Sequence, residues 1–509
     1  MSPPRPSPLR IQQALTALLI LFLLAGAVRG LGEGYSYWSD ELWSVSASRA
    51  DWGVMLRDWL LPDTHPPLYQ ALLKLWIALA GSGESATRSL SVLMAAASLV
   101  AMALFSSGRG AGRRLVSVAF LGTSPAFLFY SQETRSYATS LAFSAVMLGA
   151  ALQLRQRALA ALPRRPPPDR TETSLRDLFV LSCLLLSLTH YLSALFVLVV
   201  LAAATAEGLI LRRRRQALPL LAALLAWPLV HLLGSSFSNK LERLDWIRVT
   251  PISGTLSEFL AGTLPLLIPA RVGPAGWLLI ATALATAVVF AVTAWRCRPP
   301  LPAPPGPEAG EVRFLLLVIA AFLGVMVALD PIKPLSQARY FIVVLPALAW
   351  LSGDGWELSR RCGRARRGAL AAMVAVALLL QWQIGVRELA RKRTPLQDYK
   401  AMAAFVTRSG VCREGCWGHG WPLETLSPLY FPPDSLRPWP GGPQAAAFPL
   451  TRPFLGFHGA RDALPKLRAA NPAFACWEAP GAWRTAPFLL LPPTSRAQPA
   501  LAGLRPCPP

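Results

Sequence analysis

The sequence predicts an all-α integral membrane bundle of about 11 transmembrane helices, with an extracytoplasmic first loop and a small extracytoplasmic C-terminal domain. Three observations predict it. The 509 residues are 53% hydrophobic and only 15% charged, with a mean hydropathy of +0.41; soluble domains carry about 25% charged residues. The apolar residues gather in runs close to the ~20 residues that a helix needs to cross hydrocarbon. The basic residues, which set a formal net charge of +23, fall in blocks between alternate runs. That placement marks cytoplasmic loops rather than a nucleic-acid footprint, so no nucleic-acid partner is expected.

The runs fall in order at 11–30, 89–107, 115–130, 137–153, 177–190, 192–211, 217–234, 275–295, 313–329, 340–353 and 369–386, with 254–270 as a twelfth span or a re-entrant segment. The first run lacks a small-residue cleavage site and is followed by many others, so it reads as a span and not a signal peptide. With the N-terminus inside, the inner loops hold RGAGRR (109–114), the Arg-rich segment 155–176, RRRR (212–215), RCR (296–298) and RRCGRARR (360–367). Arg391, Lys392 and Arg393 are the exception, since they follow the last span on the outer side. The protein is thus expected to sit in a membrane, as a multi-pass domain over 1–386 and an extracytoplasmic region over 387–509. Segment 299–310, PPLPAPPGPEAG, is a Pro-rich inner linker. No repeat, P-loop, HExxH or nucleotide-binding glycine motif occurs.

The tail is rich in Pro and Gly and is expected to form a compact mixed or irregular fold. Four of the seven cysteines, Cys412, Cys416, Cys476 and Cys507, lie in it, on the side of the membrane where disulfides persist. Cys412 and Cys416, in CREGC, are either a local bridge or free thiols.

The outer segments carry the unusual polar residues. The first loop, 31–87, contains SDELWS with Asp40 and Glu41, read either as a solvated loop tip or as a carboxylate pair with chemistry. It continues to DTHPPLYQALLKLW, with Asp63, His65 and Tyr69; from Pro66 the pattern is an apolar helix lying at the interface, with Lys74 as its one charge. YSQETRSYA (130–138) places Gln132, Glu133, Arg135 and Tyr137 at the membrane boundary, His190–Tyr191 marks the next outer turn, and DPIKPLSQARYF (330–341) brings Lys333, Arg339 and Tyr340. Charges at that depth are solvated, paired, or bound to something charged. Sugar transfer from a lipid-linked phosphate fits such a set. Its leaving group departs ionised and needs cations and hydrogen-bond donors, while the acceptor hydroxyl needs one carboxylate base.

SDELWS, DTHPPLYQALLKLW, RSLS, YSQETRSYA, HYLSALF and ARYFIVVLP, in that order, resemble the dolichyl-phosphate-mannose protein mannosyltransferase superfamily in its bacterial family-39 form, and more distantly the lipid A aminoarabinose transferases. The resemblance covers about 11–386. It implies a GT-C fold, a glycosyltransferase with its active site on the outer face, and a polyprenyl-phosphate sugar donor. It implies a catalytic-base role for Asp40, with Glu41 positioning it or the acceptor. It gives Asp63, His65 and Tyr69 to acceptor binding or active-site support, and Arg135, Tyr137, Lys333, Arg339 and Tyr340 to the donor phosphate. The acceptor is an extracytoplasmic glycan, lipid or protein; the large luminal insertion of the eukaryotic protein mannosyltransferases is missing here, which argues against protein. No metal ligands are assigned, since Asp63 and His65 supply two where stable zinc sites use at least three, although a divalent metal is compatible with the chemistry. Other partners are membrane lipids. The alternative function is a transporter or flippase of lipid-linked glycans, against which the Ala- and Leu-rich span centres speak.

Overall fold

The computed structural model describes residues 8–63, 65–106, 110–160, 169–206, 247–265, 307–359, 364–394, 397–420, 423, 429–432, 434–440, 449–457, 460–478, 487–493 and 504–507. The candidate spans at 217–234 and 275–295 lie outside these residues.

The longer helices run in chain order: α1 (Pro8–Ala27), α2 (Ser39–Arg49), α3 (Leu68–Ala80), α4 (Glu84–Phe105), α5 (Ala111–Thr123), α6 (Pro125–Tyr130), α7 (Tyr137–Ala160), α8 (Arg170–Ser187), α9 (Tyr191–Ala206), α10 (Ser253–Thr263), α11 (Pro307–Leu329), α12 (Leu345–Ser359), α13 (Arg364–Arg391), α14 (Tyr399–Ser409) and α15 (Leu464–Ala470). The chain divides into two compact units. The first comprises Met1–Arg29, Trp52–Leu72 and Arg88–Leu389; the second comprises Gly30–Asp51, Leu73–Thr87 and Ala390–Pro509.

The first unit is helical. Among the described residues five helices, α1 with the turn after it, α4, α7, α11 and α13, are long and apolar enough to cross a membrane, and α3 and α9 are shorter apolar helices. The chain is a multi-pass membrane protein. Its helices leave large apolar side chains on their outer faces, among them Leu18 and Leu21 of α1, Leu104 of α4 and Leu379 of α13, each more than 60% exposed. A water-soluble bundle would cover such stripes; hydrocarbon tolerates them. Inside, Phe179, Phe196, Phe314, Phe322, Phe341 and Trp350 fill one contiguous core. Arg113 of α5 is buried and bonds Asp354 of α12 and, at 3.4 Å, Glu311 of α11, so the cation clamps three helices and its cost of burial is offset by two carboxylates.

Two of the apolar runs are broken. The run at 115–130 is α5 and then α6, because Pro125 cannot donate within a continuing helix and instead opens a new one. The run at 340–353 is a 3-10 stretch, Ala338–Val344, followed by α12. Residues 254–270 begin with α10, only 11 residues long.

The second unit ends in a six-stranded mixed sheet of order β2-β1-β3-β5-β4-β6. Its strands are β1 (Cys416–His419), β2 (Leu436–Pro438), β3 (Phe454–Gly456), β4 (Ala475–Glu478), β5 (Phe488–Leu491) and β6 (Arg505–Pro506). β1 runs parallel to β2 and β3; the remaining pairs are antiparallel. Alternate residues face opposite sides of a strand. Leu455, Leu489 and Leu491 accordingly pack with Met402 and Val406 of α14, while Phe454, Phe488 and Leu490 pack with Leu467 of α15. Both faces of β5 are therefore covered, which explains an unbroken FLLL where a one-sided strand would alternate. Cys412 bonds Cys416, and Cys476 of β4 bonds Cys507 just past β6.

Candidate active site

Helix α2 places Asp40. SDELWS is no loop tip: it forms the first six residues of an 11-residue helix. Glu41 is 2% exposed and its Oε2 accepts the Trp38 N–H at 3.3 Å, so it closes the start of the helix. Ser39 fixes the same end within the second unit: its N–H and hydroxyl donate to Gln397 Oε1 at 3.0 and 2.8 Å, and its hydroxyl oxygen accepts from the Tyr399 phenol at 3.0 Å. Burial, helped by the nearby Asp40 carboxylate, pushes the Tyr399 phenol up to about 12, so it stays protonated as a hydrogen-bond donor. Asp40 itself is half-buried in the first turn of this helix.

The first unit gathers a second cluster from four turns. Asp63 and His65 precede α3; Arg135 and Tyr137 enter α7; His190 lies between α8 and α9; Arg339 and Tyr340 open the 3-10 stretch. His65 Nδ1 lies 2.5 Å from Asp63 Oδ2, and its Nε2 lies 2.8 Å from Arg135 Nη2. A guanidinium only donates, so Nε2 accepts and the Nδ1 proton points to Asp63. The outcome is a fixed tautomer that orients Arg135. The rings follow in a row: His65 and His190 are 5.5 Å apart, His190 and Tyr340 4.7 Å, Tyr340 and Tyr137 6.5 Å, and Tyr137 and Tyr130 4.9 Å. The Arg339 guanidinium lies 5.3 Å from the Tyr340 ring centre. His190 Nδ1 accepts the Leu192 N–H at 3.2 Å, so that nitrogen carries no proton and the ring is neutral.

Gln132, Glu133, Arg135 and Tyr137 of YSQETRSYA are all buried inside the helical unit. Gln132 spends its amide on the carbonyls of Ala27 and Arg29, at 2.6 and 2.9 Å. Tyr69 is buried in α3, whose Leu68 N–H donates to Leu188 O at 3.0 Å and ties the HPP segment to the His190 turn. Lys74 donates to the Ala50 carbonyl at 2.6 Å. Lys333 lines an open groove of about 590 Å³ with Arg248, Thr250 and Pro334. Among the described residues, no three His, Cys, Asp or Glu side chains are grouped to hold a metal ion.

The segment carrying Arg339 and Tyr340 is anchored from below. Asp330 accepts the N–H groups of Leu335 and Ser336 at 2.7 and 3.0 Å and also bonds Thr255 of α10. Glu258 of α10 accepts the Ala338 N–H at 2.6 Å. Gly262 lets α10 approach so closely that a Cβ there would sit 2.1 Å from the Ala338 carbonyl oxygen, a backbone atom with little room to yield. Gly262→Ala is expected to displace Arg339 and Tyr340 and to lower the melting temperature of the purified protein; Gly324→Ala, where nothing lies within 4 Å, is the neutral control.

Sequence reading missed His190 as a member of the cluster and Gln397 and Tyr399 as the anchors of Asp40. Nothing in the order of residues links His190 to Tyr340, 150 positions apart; only the packing of the turns does.

No protein-family model matches the sequence, and no curated protein matches it either. Solved structures do. ArnT from Cupriavidus metallidurans superposes in its apo state with a TM-score of 0.57 at 12% identity, covering 94% of this chain and 98% of that one. ArnT bound to undecaprenyl phosphate gives 0.57 at 14% identity with the same coverage. The archaeal oligosaccharyltransferase AglB from Archaeoglobus fulgidus overlaps less well, with a TM-score of 0.48 at 11% identity over 92% of this chain and 73% of that one. A mostly helical chain with several membrane-length apolar helices and a small C-terminal mixed sheet, this protein has the fold of ArnT, a GT-C fold.

Proposed function

We propose that the protein is an integral-membrane glycosyltransferase that moves a sugar from a polyprenyl-phosphate donor to an acceptor outside the cytoplasm, in a bacterial inner membrane. One observation carries the reading: two arginines, a neutral histidine and a tyrosine converge from separate turns of a membrane-embedded helical unit. The ArnT fold and the undecaprenyl phosphate held by one ArnT structure support the donor class. Arg135 and Arg339 hold the phosphate of the donor, with Lys333 on the approach and Tyr137 and Tyr340 lining it. Asp63 and His65 keep Arg135 aimed. Asp40 takes the proton of the acceptor hydroxyl as its oxygen attacks the anomeric carbon. The bond from that carbon to the phosphate oxygen breaks, its electron pair leaves with the phosphate, and the configuration inverts. One carboxylate suffices, because the leaving phosphate needs no general acid.

The test uses purified protein in lipid nanodiscs, given radiolabelled polyprenyl-phosphate sugars one at a time with a membrane extract as acceptor source. Transfer of label from one donor is the expected result. Folded protein that turns over no donor, yet moves a lipid-linked glycan across a vesicle membrane, overturns the reading in favour of a flippase.

A further inference from the structure

His190 has two ring nitrogens with different fates. Nδ1 accepts the backbone N–H of Leu192 at 3.2 Å, and the His190 carbonyl accepts from Ala194 at 3.0 Å. That is the pattern of a helix N-cap, with the side chain satisfying one of the orphan donors that start α9. A backbone N–H cannot accept, so Nδ1 carries the lone pair and the proton of the neutral ring sits on Nε2. Among the described residues Nε2–H has no hydrogen-bond partner, while the ring is only half-buried and stands between His65 and Tyr340. The turn beneath it is rigid: Thr189 donates to Leu186 O at 2.6 Å and pairs with Ser140 at 3.0 Å, and Ser193 donates to Ser140 at 3.2 Å. A fixed imidazole with one unspent donor, beside two guanidinium groups, matches an anionic oxygen.

We propose that His190 Nε2–H donates a hydrogen bond to a phosphate oxygen of the polyprenyl donor, in a contact that strengthens as the phosphate leaves. This rests on the donor class proposed above. The proton stays on His190 throughout: the group stabilises charge and transfers nothing. A neutral donor adds to the arginines without adding a third charge to be desolvated.

Two substitutions separate this role from capping. His190→Asn keeps a side-chain acceptor for the Leu192 N–H, since Asn is a preferred N-cap, but removes the donor at the far nitrogen. His190→Gln keeps an N–H near the Nε2 position and gives up the cap. Binding of undecaprenyl phosphate to protein in nanodiscs is measured for each, with the melting temperature. His190→Asn is expected to melt like wild type and bind roughly tenfold to a hundredfold more weakly, as for loss of a bond to a charged group. His190→Gln is expected to melt lower yet bind within a few-fold of wild type. Equal binding by wild type and His190→Asn overturns the proposal and leaves His190 as a cap alone. Wild type that binds no undecaprenyl phosphate overturns the donor reading together with it.

Discussion

Asp40→Asn is expected to lower the turnover of sugar transfer by about 10²- to 10⁴-fold, the usual contribution of a positioned base, with little change in the apparent affinity for the lipid donor. The substitution keeps shape and volume. The contacts that build this end of α2 are made by other groups: Ser39 with Gln397 and Tyr399, Glu41 with the Trp38 N–H, and Ser44 with the Asp40 backbone carbonyl at 3.0 Å. The variant is therefore expected to fold, and the deficit to appear in the chemical step. Glu41→Gln retains an oxygen for the Trp38 N–H and is expected to cost far less. Single-turnover rates of purified wild type, Asp40→Asn and Glu41→Gln decide the matter. Full activity in folded Asp40→Asn sinks the base assignment.

Arg135→Gln is expected to weaken donor binding by roughly tenfold to a hundredfold, and Arg135→Gln with Arg339→Gln by more than either alone. Arg135 is oriented by a neutral imidazole acceptor. A carboxylate in that position would cancel much of the field that a phosphate feels; His65, itself fixed by Asp63, directs the guanidinium without cancelling it. His65→Asn is thus the gentler change, with the charge kept and its aim lost. Lys in place of Arg135 is not conservative here, because a single ammonium cannot offer one N–H to His65 and a planar pair to a phosphate. Isothermal titration with undecaprenyl phosphate reads these differences. Wild-type affinity in the double variant removes the arginines from the donor site.

Much of the helical unit was legible because apolar runs near membrane length have few other ways to satisfy their backbones. The runs at 89–107, 137–153, 313–329 and 369–386 correspond to α4, α7, α11 and α13. Where reading failed, local geometry decided what hydropathy does not record. Pro125 splits one run, and the α10 contact through Gly262 accompanies a 3-10 stretch at the head of another. SDELWS looked like a loop because only its later partners, Gln397 and Tyr399, show what anchors it. The tail gave no strand alternation to read, since β3 and β5 are buried on both faces. Residue types at the site were legible as Arg, His and Tyr at the ends of spans. Their convergence was not, because the His65–Arg135 and His190–Tyr340 pairs join residues far apart in the chain.

Among the described residues, the two outermost strands of the sheet are Leu436–Arg437–Pro438 and Arg505–Pro506. Each is very short and sets an arginine before a proline, which has no N–H to offer a neighbouring strand. The sheet is thereby sealed at both ends. It resists edge-to-edge aggregation between copies of the protein, and an extended polypeptide gains no main-chain ladder by lying alongside it.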